Sequence, residues 1–229
     1  MASKPINIRK STDERRSEDN DRPVLSEGTM AALNEFLAES QATTNGAQNP
    51  FAENWGLSQF WYTEETAGHV ARECVEAAGP SGRIACIACP SLFRQLRAQF
   101  PDAHAHLFEV DLRFETLGNF SLYDYRKPHA VPDELKGAFS VVVADPPYLS
   151  EECLQKTVET MKVLARHGDE SPKYYLLTGA SMKGTAQKLL GLRPTVYRPQ
   201  HKTKLGNEFL LYTTSEAAAN RLGGWDDAA

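Results

Sequence analysis

An acid, two prolines and an aromatic ring stand in a row at Asp145-Pro146-Pro147-Tyr148. Such a row can neither extend a strand nor begin a helix. Each proline lacks an N–H, fixes its own φ and restricts the residue before it to extended backbone. A carboxylate, a carbonyl with no competing N–H beside it and a ring are thereby delivered together. This set suits transfer of a group to an amine nitrogen. The nitrogen must present its lone pair to an electrophile, so its hydrogens need acceptors and its carrier needs a wall. Asp145 can accept one N–H and the Pro146 carbonyl a second, while Tyr148 can stack on a planar base or flank an alkyl chain. Positioning of this kind is worth on the order of 7–11 kcal/mol in favourable cases. The same four residues would also serve as a turn after a core strand, with Asp145 capping a helix that begins near Glu151.

Something must hold that row in place. Phe139 to Ala144, immediately before it, is an apolar, β-branched run of the kind buried on both faces of a sheet. Around it, strands expected at 83–89, 104–110, 121–125, 138–144 and 173–178 alternate with helices expected at 63–78, 91–99, 151–165 and 180–190. That alternation implies a doubly wound α/β fold with a parallel sheet, whose ligands bind at the carboxyl edge of the strands. Segments 194–198 and 208–213 read as a closing antiparallel hairpin around a polar loop, 201–207. Four stretches of chain follow. Residues 1–25 are too charged to order themselves, 26–50 carry an N-terminal helix and linker, 51–215 form the folded domain, and 216–229 are expected to be a frayed tail.

Composition narrows the function. The chain has 229 residues with 41% hydrophobic content and a net charge of −5, so one domain with a full core is expected, and strong sequence-independent binding to nucleic acid is disfavoured. No apolar run reaches the length of a membrane span. The four cysteines are too few for a disulfide scaffold, which points to a reducing compartment. Cys86 and Cys89 make a Cys-x-x-Cys with no second pair, and the six histidines lack ligand spacing, so no metal site is expected.

The Asp-Pro-Pro-Tyr row at this strand end resembles the class I, S-adenosylmethionine-dependent amino-methyltransferases. Ser58-Gln-Phe-Trp-Tyr62, Phe108 to Phe114, Tyr123-Asp-Tyr125, Ala144 to Tyr148 with Cys153, and Asn207-Glu-Phe209 follow in that order. Together they are similar to the elongation factor 1-alpha lysine methyltransferase family, whose members were once described as N6-adenine-specific DNA methyltransferases. The resemblance implies a Rossmann-like, mostly parallel seven-stranded sheet closed by an antiparallel hairpin, and S-adenosylmethionine as cofactor. It implies that Ser58, Gln59, Phe60 and Trp61 fold over the cofactor, and that Ala88 and Ser91 contact it at the first strand–helix turn, where many relatives carry Gly-x-Gly. Either Glu109 or Asp111 would hold the ribose hydroxyls, with Asp124 or Tyr125 beside the adenine and Asp145 near both cofactor and substrate. Asp145, Pro146 and Tyr148 would be catalytic, and Tyr148, His201, Lys202 and Asn207 would meet the substrate.

The row alone does not choose between a lysine and an adenine amine. The negative charge, the absence of a separate nucleic-acid module and the basic character of elongation factor 1-alpha favour a protein substrate. N6-adenine methylation of DNA or RNA is the alternative. A cytoplasmic monomer away from membranes is the accompanying expectation.

Overall fold

A computed structural model describes residues 51–168 and 172–227. These belong to the second of two compact units, 1–49 and 50–229. The charged tail, N-terminal helix and linker expected before residue 50 lie outside the described residues.

The described strands are β1 (Arg83–Ile87), β2 (His104–Glu109), β3 (Phe120–Leu122), β4 (Val141–Ala144), β5 (Lys173–Gly179), β6 (Arg193–Pro194) and β7 (Phe209–Thr213). They form one sheet in the order β3-β2-β1-β4-β5-β7-β6. The first five run parallel, while β7 is antiparallel to both β5 and β6. The chain winds one way from β1 to β2 and β3, then returns to β4 on the other side of β1. The carboxyl ends of β1 and β4 therefore flank a topological switch point, where such sheets open a crevice.

Strand β4 shows why the sheet is two-sided. Val141 and Val143 join the core on one face, with Val70, Cys74, Leu92 and Phe93. Val142 and Ala144 join the core on the other, with Leu154, Val158 and Met161. Side chains alternate between the faces of a strand, so a strand apolar at every position requires a layer on each side. Helices α1 (Glu64–Ala78) and α2 (Pro90–Gln99) supply the first layer, and α3 (Glu151–Leu164) and α4 (Lys183–Leu190) supply the second. Thr63 caps α1 through Thr66 N–H, and Gly79, at φ 69°, ends it, as Ser-Thr caps and a left-handed glycine ordinarily do.

The closing hairpin differs from its expectation. Only Arg193 and Pro194 pair as β6, because the chain beyond Thr195 leaves the ladder; Val196 donates its N–H to Gly224 instead. The expected 180–190 helix opens as a 3-10 turn, Ala180–Met182, before α4.

The tail expected to fray is also ordered up to residue 227. Helix α5 (Glu216–Arg221) is capped by Ser215, and Ala218, Ala219 and Leu222 are buried. Its end is tied down electrostatically. Arg221 reaches the buried Glu73 of α1 through Nε at 2.8 Å and Nη2 at 2.6 Å, and Tyr175 donates its hydroxyl to the same carboxylate at 2.6 Å. Alanines carry little apolar signal, and the partner of Arg221 lies 148 residues away, so the sequence offers no local sign of this docking. Arg221→Ala leaves Glu73 with the Tyr175 hydroxyl alone and, since Arg221 is itself partly exposed, is expected to lower stability by about 1–3 kcal/mol. A urea midpoint within error of the parent's would show that α5 does not anchor the fold.

Candidate active site

Outside the carboxyl ends of β1, β2 and β4 lies a cavity of about 420 Å³. Asp145 stands at its floor. Its N–H bonds Ile87 O at 3.0 Å, continuing the β1–β4 ladder by one residue, and then the prolines turn the chain out. The helix that follows is capped by Ser150, whose hydroxyl accepts Cys153 N–H at 3.3 Å. Asp145 is therefore not the cap, and its carboxyl lines the cavity together with Pro146, Pro147 and Tyr148. Among the described residues no donor meets the Pro146 carbonyl. Tyr148 is half exposed, with its ring at 63° to that of Tyr125 and 5.9 Å away.

The carboxyl of Asp145 accepts a hydrogen bond from the hydroxyl of Tyr62 at 3.2 Å. Burial pushes its pKa up to about 8, the charge of Glu109 adds to the rise, and the Tyr62 bond opposes it. Near pH 7 the group is mostly protonated, poised close to the pH at which it must act.

The structure separates the two acids after β2. Glu109 is buried, lines the cavity and accepts the N–H groups of Val110 and Asp111 at 3.0 and 3.1 Å. Burial lifts its pKa to about 7 against those two bonds. Asp111 does not line the cavity. It binds Arg113 through both oxygens at 2.7–3.1 Å and accepts Gln59 Nε2 at 3.0 Å. Burial raises its carboxyl, but the bonds from Arg113 and Gln59 outweigh this and hold it below the usual range. Asp111 thus fastens the segment over the cavity, and of the two acids only Glu109 lines it. Two residues apart on a strand end, the side chains of Glu109 and Asp111 take up different tasks.

That segment, 58–61, lines the cavity at all four positions. Gln59 is the latch, its amide oxygen accepting Arg113 Nη2 at 3.1 Å while its nitrogen holds Asp111. Trp61 gives its indole N–H to Phe51 O at 2.8 Å and packs edge-on against Phe114. Ser58 sits in left-handed backbone at φ 53°. On the opposite wall, Ala88 is also left-handed, at φ 51°, and its N–H bonds Phe108 O at 2.8 Å. A Cβ in this region costs about 1–2 kcal/mol. The strand–helix turn thus keeps the backbone path that glycine usually allows. Ser91 follows at the start of α2, whose first turn has no side-chain cap and offers its N–H groups to an anion.

Asp124 and Tyr125 also line the cavity, with Asp124 paired to Arg126 at 2.7 Å. From the far side come His201 and Asn207. Burial lowers the pKa of His201 to about 4, so its ring is neutral at physiological pH. Lys202 is not part of the lining; its Nζ lies 3.8 Å from Glu64 and its N–H bonds Trp61 O. Alternation along the extended loop turns His201 inward and Lys202 away, so of the two only His201 lines the cavity. Sequence reasoning gave no role to Tyr62, Arg113 or Phe209. Tyr62 meets Asp145 across 83 residues, and Arg113, though paired with its near neighbour Asp111, also reaches Gln59 across 54.

Cys86 and Cys89 are buried in the core, and among the described residues no group of three metal-ligating side chains is assembled.

A family model described as probable N6-adenine methyltransferase matches residues 53–217. EEF1A lysine methyltransferase 1 of Mus musculus is 44% identical over 210 residues, spanning 88% of this chain and 96% of the relative. Protein-lysine N-methyltransferase EFM5 of Saccharomyces cerevisiae is 33% identical, spanning 86% and 93%. Among solved structures, a branched-chain polyamine synthase from Thermus thermophilus, in complex with N4-aminopropylspermidine and 5'-methylthioadenosine, superposes with a TM-score of 0.54 at 15% identity. It covers 80% of this chain and 62% of its own.

Proposed function

Because the chain belongs to the EEF1A lysine methyltransferase family, we infer that it is an S-adenosylmethionine-dependent protein-lysine N-methyltransferase acting on translation elongation factor 1-alpha. The observation that carries the reading is the strand-end set itself. An acid poised near pH 8, an unclaimed carbonyl and an aromatic wall meet in one cavity beside an uncapped helix start.

The residues fit the cofactor. Glu109 meets the ribose hydroxyls, the first turn of α2 at Ser91 meets the amino-acid carboxylate, and the left-handed Ala88 lets backbone approach. Ser58 to Trp61 cover it, with Asp124 and Tyr125 near the adenine. When bound, it supplies a methyl group on a cationic sulfur, an electrophile that needs only an aligned lone pair. Asp145 takes up the surplus proton of the lysine ammonium, the Pro146 carbonyl accepts an N–H of the neutral amine so formed, and Tyr148 flanks its alkyl chain. His201, neutral, and Asn207 line the entry without repelling the ammonium.

Incubation of the protein with tritiated cofactor, isolated elongation factor 1-alpha and total nucleic acid tests this reading. Label in a protease-sensitive band supports lysine; label in nuclease-sensitive material rejects it in favour of adenine. The relatives reported above are named for lysine, while the family model carries an N6-adenine description, and this experiment separates the two. The enzyme works in the cytoplasm as a monomer away from membranes. Its four free, buried cysteines suit a reducing compartment, and no described helix is long and apolar enough to cross a bilayer. Size-exclusion chromatography at micromolar concentration checks the monomer.

The two acids after β2 make a further prediction. Measured at pH 8, where Glu109 is ionised, Glu109→Gln is expected to weaken S-adenosylhomocysteine binding about 10–100-fold, the value of a charge-assisted hydrogen bond. Asp111→Asn acts instead on the latch and shows mainly as a lower melting temperature. Calorimetric titration of both variants reads the difference, and the reverse ranking would move the ribose contact to Asp111.

A further inference from the structure

The strand-end carboxyl has a protein partner outside the motif. Tyr62 is buried and does not line the cavity, yet its phenol reaches Asp145 Oδ1 at 3.2 Å, 83 residues along the chain. The ring is held from behind. His201 packs against it with the ring planes tilted by 33° and centroids 4.2 Å apart, and Phe209 closes edge-on against His201 at 4.6 Å. The backbone is fixed as well. Tyr62 pairs with His201 in an isolated bridge, Thr63 N–H bonds Gln200 O at 2.8 Å, and Lys202 N–H bonds Trp61 O at 2.7 Å.

This bond has a direction. Burial holds the phenol well above its ordinary pKa, so Tyr62 stays protonated, and its O–H donates to the carboxyl. Oδ1 is thereby taken as an acceptor. Among the described residues no donor reaches Oδ2, which is left to a ligand in the cavity. When Asp145 carries a proton, the O–H of Tyr62 keeps that proton off Oδ1. The carboxyl plane and the proton-bearing oxygen are set together.

We infer that Tyr62 is a positioning residue for the methyl transfer, acting through Asp145 by fixing which carboxyl oxygen faces the substrate nitrogen; this rests on the lysine methylation proposed above. It also places the positioning group directly beside the covering segment 58–61, so the cover and the acid are oriented by one stretch of chain.

Tyr62→Phe keeps the ring and its packing and removes only the donor. With saturating cofactor, kcat is expected to fall about 10–100-fold while the affinity for S-adenosylhomocysteine stays within threefold. A residue that merely packs would not move the pH profile. Here the inflection in kcat/KM shifts upward, because the bond stabilises the ionised acid. The other groups around Asp145 do not mimic this shift. Cys89 is pushed up by burial and His201 is lowered to about 4, while Glu109 and the Asp124–Arg126 pair are unchanged between parent and variant. In an Asp145→Asn background, Tyr62→Phe changes kcat less than twofold.

Replacement of Tyr62 by 3-fluorotyrosine, a stronger donor of nearly the same size, moves the inflection down and carries the test if Tyr62→Phe folds poorly. The inference is overturned by a Tyr62→Phe enzyme with kcat within twofold of the parent and an unmoved inflection. An unmoved inflection in the fluorotyrosine protein, or equal losses in kcat and cofactor affinity, overturns it too. A parent enzyme that labels no lysine of elongation factor 1-alpha fails at an earlier step. It rejects the functional reading and this inference with it, before any variant is made.

Discussion

Asp145→Asn yields a protein that melts higher than the parent at pH 8 and turns over about 10²–10⁴ times more slowly. Both effects come from one carboxyl. In the unfolded chain an aspartate ionises near 4; in the folded protein Asp145 ionises at about 8. The folded state holds its proton more tightly, so the group costs nothing below about pH 4, and the cost grows as the pH rises to about 8. Because Asp145 opens on the cavity, solvent screens part of that cost, which is on the order of 2–3 kcal/mol. Asparagine carries no charge to bury, and its oxygen still accepts from Tyr62. A gain of 2–3 kcal/mol in a domain of this size raises the melting temperature by about 5–10 °C, and the gain shrinks as the pH falls toward 5. The amide nitrogen of asparagine meanwhile sits in the place of Oδ2 and can take no proton from the substrate ammonium. Cofactor affinity stays within threefold. Calorimetric melting and single-turnover methylation read the two arms; normal turnover in Asp145→Asn removes the carboxyl from the mechanism.

What the sequence disclosed follows the range of each interaction. The buried strand before Asp145, the alternation of strands and helices and the prolines that end the strand are local properties, visible in composition and period. They locate the site at the right sheet edge. The assignment of tasks within it depends on pairings across 52 to 83 residues, such as Gln59 with Asp111 and Tyr62 with Asp145. Neither Glu109 nor Asp111 differs in kind, and only the position of Arg113 and Gln59 around the second decides which acid faces the cavity. The docking of α5 was hidden for the same reason, since a row of alanines looks alike on a surface and in a shallow groove. The left-handed backbone at Ala88 was masked by its identity, because a glycine there would have announced the turn.

The pH dependence of kcat/KM distinguishes the poised acid from a passive one. A free lysine ionises near 10.4, so at pH 7 the encounter begins with a protonated amine, and Asp145 is protonated too, with its pKa at about 8. The pair holds two protons and the reactive arrangement holds one: a neutral amine whose former proton rests on the carboxyl. Reaching it releases one proton to solvent, so kcat/KM rises about tenfold per unit below pH 8 and levels between about 8 and 10. Within the levelled range the proton moves from nitrogen to Oδ2, breaking N–H and forming O–H, against a gap on the order of 3 kcal/mol. Release to water at pH 7 would cost about 4.6 kcal/mol. Raising the acid's pKa thus narrows the gap that an ordinary aspartate would leave. Glu109 titrates at about 7 in the cofactor region, so the measurement is made with saturating cofactor, and His201, lowered to about 4, stays neutral throughout. Asp145→Asn loses the inflection at 8, and its residual rate climbs toward 10 with the lysine alone. A parent profile flat from 6 to 8, with methyl transfer shown to be rate-limiting, would mean that the amine arrives already neutral and that the raised pKa of Asp145 plays no part in preparing it.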